Sequence, residues 1–165
     1  MRPNQIFAAM SQEKCGQIME KIAQQSPEAV KQTVAAAAIA LKFRPQFLLK
    51  QPLEMRVSSV RRALSRTSSN ALAEELLAVY FLKCRLDLLA EWLDLLGLEH
   101  EEGILKADVV ASPAEAELRE KVAKFRAVDG DADRELLLQA FAAQTAINWP
   151  ALDALVDSLA SSTGK

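Results

Sequence analysis

The apolar residues of this chain recur every three or four positions, and they rarely alternate with polar ones. That is the period of helices and not of strands. Read with the usual start and stop signals, the pattern predicts helices over 4–24, 27–43, 52–66, 69–97, 113–128, 131–145 and 149–160, with short turns at 45–50 and near 99–107. Ser26 before Pro27 reads as an N-cap followed by proline in the first turn. Ser112 with Glu115 reads as a capping box, Asp131 as the cap of the next helix, and Asn148 before Pro150 as the last cap. Gly97 stands where a left-handed residue closes a helix.

The most apolar stretch is LLAVYFLKCRLDLLAEWLDLLGL, residues 76–98. At about 100° per residue its carboxylates Asp87, Glu91 and Asp94 fall within about 60° of one another, so they form one stripe on an otherwise apolar cylinder. With no glycine or proline inside it, 69–97 is expected to be one long buried helix, any break falling near Cys84. The fold class that follows is all-α: a single domain over residues 1–160, a bundle or short curved stack of about seven or eight helices around helix 69–97, with 161–165 as a flexible tail. Each leucine fully buried there contributes about 1.5–3 kcal/mol, whereas the alanine run 35–38 contributes little beyond allowing close helix approach.

Composition narrows the chemistry. Half of the 165 residues are apolar and a quarter charged, as in a folded domain with its own core. Cys15 and Cys84 make no disulfide framework and read as reduced thiols. The longest apolar run, VAAAAIAL at 34–41, is far short of a membrane span, and the start has no signal-peptide pattern. A cytoplasmic location and no membrane partner are the expectations. No phosphate loop, dinucleotide fingerprint, nucleophile elbow or zinc spacing occurs, so no catalytic residue, no metal ligand and no cofactor is assigned, and the chain is expected not to be an enzyme.

Three stretches invite chemistry. His100, the one histidine, lies in GLEHEEG (97–103) among Glu99, Glu101 and Glu102 and reads as a solvated corner between helices, since zinc and di-iron sites recruit several histidines or paired Glu-x-x-His motifs. Asp129, Asp131 and Asp133 have the spacing that opens an EF-hand, but Arg134 and Ala140 stand where Gly and Glu are required. An acidic helix start is the plainer reading.

The third stretch is KFRPQFLLKQPLEMRVSSVRRALSR, residues 42–66, with seven Lys/Arg against one Glu. It belongs to a polarised chain. Residues 1–85 hold thirteen Lys/Arg against six acidic residues, net +7, and residues 86–165 hold seven against sixteen, net −9. Arg56, Arg61, Arg62 and Arg66 are therefore the candidate partner-binding residues of a non-catalytic adaptor or regulatory module, acting on a protein partner or by self-association, such as a homodimer. Two alternatives stay open: nucleic-acid binding through 42–66, and a helical bundle that holds a metal or small ligand in its core.

Overall fold

The computed structural model describes residues 1–162, and helices dominate it as the periodicity predicts. Ten α-helices occur among the described residues, in two compact units: residues 2–84, and the chain from Arg85 on with Met1. The apolar stretch taken as one helix, 69–97, breaks at Arg85, whose backbone (φ −135°, ψ 42°) is not helical. The last three residues of the expected tail, 163–165, lie outside the described residues, while 161 and 162 continue the final helix.

The first unit holds α1 (Pro3–Ala9), α2 (Gln12–Gln25), α3 (Pro27–Ala40), α4 (Pro45–Leu49), α5 (Leu53–Leu64) and, after a single 3₁₀ turn at Thr67–Ser69, α6 (Asn70–Cys84). The expected helix 4–24 is two helices, because Met10 is extended and the Ser11 side chain caps the next helix by accepting the Lys14 N–H (3.1 Å). Ser26, by contrast, makes no side-chain cap. Phe7, Ile18, Ile22, Leu48, Leu64 and Tyr80 are its large side chains buried to less than 2% exposure. Ala37 and Ala38 are fully buried where α3 lies against its neighbours, the close approach expected of small residues.

The second unit holds α7 (Leu86–Leu96), β1 (His100–Glu101), β2 (Ile104–Leu105), α8 (Glu115–Arg126), α9 (Ala132–Ala142) and α10 (Pro150–Ser162). The short turn expected near 99–107 is a two-stranded antiparallel hairpin, pairing His100 with Leu105 and Glu101 with Ile104. Its turn residues Glu102 and Gly103 both have positive φ (49° and 82°), the conformation of a tight hairpin turn whose second residue favours glycine. The Ser112 capping box does not form: α8 starts at Glu115, with Ala114 at the N-cap. Asn148 sits at φ 45°, ahead of α10. The core is an aromatic chain. Trp92 lies 5.1 Å from Phe125 and 5.9 Å from Phe141, and Phe141 lies 5.7 Å from Trp149, centroid to centroid.

No helix among the described residues is long and apolar enough to cross a membrane.

Candidate interaction surface

The stripe Asp87, Glu91 and Asp94 does face outward on α7, and each of its carboxylates meets a cation or imidazole of its own unit. Asp87 bonds Arg85 (3.1 Å), Glu91 bonds Arg134 through two 2.8 Å hydrogen bonds, and Asp94 accepts from His100 Nε2 (2.9 Å). His100 Nδ1 accepts the Gly103 N–H (3.2 Å), which leaves Nε2 as the nitrogen that donates. The histidine thereby pins the hairpin to the end of α7. The aspartate run is likewise occupied. Asp131 caps α9 by accepting the Asp133 N–H (3.0 Å), and it accepts from Arg85 at 2.7 Å. Asp133, with a side chain only 4% exposed, also bonds Arg85. The Arg85 hydrogen bonds hold the Asp131 carboxyl down at about 2. Arg134, where an EF-hand needs glycine, is buried against the Phe125 ring (4.7 Å) and donates to the Phe125 carbonyl (3.0 Å). Among the described residues no group of three or more His, Cys, Asp or Glu is placed to hold a metal ion, and Cys15 and Cys84 are free thiols. Burial pushes the Cys15 thiol up to about 11.

The four candidate arginines do different things. Arg61 donates to the carbonyls of Ala8 (3.2 Å) and Met10 (2.5 Å), and so caps the C-terminus of α1. Arg66 donates to the Ala40 carbonyl (2.7 Å) and caps α3 in the same way. Both place a guanidinium on the negative end of a helix dipole. Arg56 is half-buried, with its Nε buried and unbonded. Arg62 is exposed and lies over the Phe43 ring, 6.0 Å from the centroid.

Phe43 belongs to a feature that counting charges does not reveal. Eight large apolar side chains are exposed among the described residues, and five of them, Ile39, Phe43, Phe47, Leu53 and Met55, fall between the end of α3 and the start of α5. The local reason is α4. Proline opens it and five residues complete it, so it has room for one inward anchor, Leu48 (1% exposed), while Phe47 is left outside at 53%. The Phe43 and Phe47 rings lie 6.0 Å apart, tilted at 59° to each other. Phe43 is turned outward by the close of α3, where Lys42 N–H bonds the Ile39 carbonyl (3.0 Å) and Phe43 N–H the Ala38 carbonyl (2.8 Å). This is the Schellman arrangement, with Lys42 at φ 63° where glycine is the usual choice. Lys42, Arg44 and Lys50 are exposed around the pair, and none of them makes an ion pair or side-chain hydrogen bond among the described residues. The first unit as a whole, residues 2–84, carries twelve Lys/Arg against six Glu, net +6.

The signal for this corner was present in the sequence as two phenylalanines beside a proline-bounded segment too short to bury both. Of the four candidate arginines, Arg62 lies over Phe43, Arg61 and Arg66 cap helices, and Arg56 is half-buried. No protein-family model matches this chain, and no curated protein or solved structure matches it either.

Proposed function

We propose that this chain is a non-catalytic protein-interaction module, an adaptor or regulatory subunit, that takes acidic, apolar-bearing protein segments on the corner formed by residues 39–62. One observation carries the reading: exposed Phe43 and Phe47 have the exposed cations Lys42, Arg44, Lys50 and Arg62 beside them in the chain or over the ring, and none of these makes an ion pair among the described residues. A contiguous apolar patch rimmed by charge is the kind of surface that binds protein. The apolar centre supplies affinity through burial, and the cationic rim selects carboxylates and raises the rate of encounter.

The test is a titration by fluorescence anisotropy. One probe is an acidic peptide with leucine and phenylalanine at helical spacing, a second is the same peptide with glutamine for every glutamate, and a third is a single-stranded oligonucleotide. The acidic peptide should bind, the glutamine peptide should bind at least tenfold more weakly, and Phe47→Asp should abolish both. Exposed phenylalanines between cations could also seat nucleobases. Tighter binding of the oligonucleotide than of the acidic peptide, lost on raising salt, would replace this reading with nucleic-acid binding.

A further inference from the structure

We propose that a second copy of this chain occupies the corner, and that the segment it presents is the acidic hairpin at 99–105 with the irregular chain that follows it to 110. The inference rests on the reading of the corner as a protein-docking surface, and it names the partner.

The exposed apolar side chains of the chain sort by the charge around them. On the first unit the exposed phenylalanines have cations for neighbours: Phe43 stands between Lys42 and Arg44 with Arg62 over its ring, and Phe47 lies between Arg44 and Lys50 in the chain. The three on the second unit sit among carboxylates: Ile104 (65% exposed) pairs across the hairpin with Glu101 and follows Glu102, Val109 (85%) follows Asp108, and Val128 (51%) precedes Asp129. Each surface therefore offers what the other lacks. The hairpin is also built to be presented. Its turn carries Glu102 at the tip, its strands are two residues long, and the His100 to Asp94 hydrogen bond fixes its base to α7. A rigid projection loses little conformational freedom on docking. On the other surface, the Phe43–Phe47 pair is an apolar seat for Ile104 and Val109, with Lys50 and Arg44 placed to meet Glu101 and Glu102.

The contact joins two different surfaces, so it makes a reciprocal two-fold dimer when each copy's hairpin reaches the other's corner, and otherwise it extends head to tail from copy to copy. Because the rim is charged and solvent-exposed, assembly should weaken as salt rises.

The experiment is sedimentation velocity on the full chain, from micromolar to near-millimolar concentration, at low and high salt. Wild type should assemble with concentration and dissociate in salt. Two variants each remove one surface: Phe47→Asp/Lys50→Glu for the corner, and Glu101→Lys/Ile104→Thr for the hairpin. Unchanged circular dichroism and melting temperature establish that each is folded. Each alone should be monomeric where wild type is assembled. Mixed, they should form a complex of two copies and no larger, since one intact corner then meets one intact hairpin. Wild type that stays monomeric throughout, assembly untouched by either variant, or a mixture that stays monomeric would overturn the inference. If wild type is monomeric yet the acidic peptide still binds at Phe47, this inference fails while the docking function stands. If the peptide also fails to bind, both fall.

Discussion

Arg85 Nη2 lies 2.7 Å from Asp131 Oδ2, and through this bond the N-cap residue of α7 reaches the N-cap residue of α9. The same guanidinium holds Asp133 and Asp87, so one side chain ties together the starts of α7 and α9. An uninterrupted helix through residue 85 would give Arg85 a different backbone direction. The non-helical geometry there is compensated by three carboxylate partners.

That ion cluster makes the second unit acid-sensitive in a defined window. Asp131 is held down to about 2 from its ordinary 3.8, chiefly by the Arg85 hydrogen bonds. A carboxyl lowered in the folded state contributes stability that is present above its unfolded value and lost as pH falls through its folded one. Thermal melts of wild type and Asp131→Asn should therefore differ most at neutral pH, and the gap should close as pH falls from 3.8 toward about 2. Asparagine keeps the cap acceptor, so a gap that does not change with pH would show that the Asp131 charge is not what stabilises this unit.

Arg134 is a structural cation. Its side chain is 10% exposed, and removing it leaves Glu91 without its two hydrogen bonds and the Phe125 carbonyl without a donor. Arg134→Ala should cost about 2–3 kcal/mol, below the figure for a fully buried pair because Glu91 is half exposed. Arg134→Lys should recover only part of the loss, since an ammonium cannot make the paired hydrogen bonds. Chemical denaturation measures both.

Arg61 and Arg62 are neighbours in sequence with opposite expected phenotypes. Arg61→Ala leaves the end of α1 uncapped at Ala8 and Met10 and should lower stability by about 1–2 kcal/mol. Arg62→Ala removes an exposed cation from the Phe43 ring. It should change stability by less than about 0.5 kcal/mol and weaken binding of the acidic peptide severalfold. Denaturation and anisotropy on the same two proteins separate the roles, and a swap of the two outcomes would remove Arg62 from the docking surface.

Lys42 combines strain with exposure. At φ 63° a side chain costs about 1 kcal/mol that glycine does not. Lys42→Gly should raise stability by about that amount, partly offset by the greater freedom of glycine in the unfolded chain. It should also weaken peptide binding by deleting a rim charge. A variant that is more stable and binds equally well would mean Lys42 lies outside the contact.

The chain's own residue order settles its helical class, the outward stripe on α7, the cap at Asp131 and the helix end at Gly97, because each follows from local periodicity or from one residue's backbone preference. Tertiary structure decides the rest. No glycine or proline marks the breaks at Met10 and Arg85, which arise where distant groups, Arg61 in one case and Asp131 with Asp133 in the other, supply hydrogen bonds that compensate for leaving the helix. Lys42 closes α3 in a conformation usually left to glycine, so the sequence carries no stop signal there and the helix reads as continuing to 43. The sorting of arginines into helix caps and free surface has the same origin. Arg61, Arg62 and Arg66 are chemically alike along the chain, and only the packing of α1 and α3 against α5 determines which guanidinium finds a carbonyl and which is left over a ring.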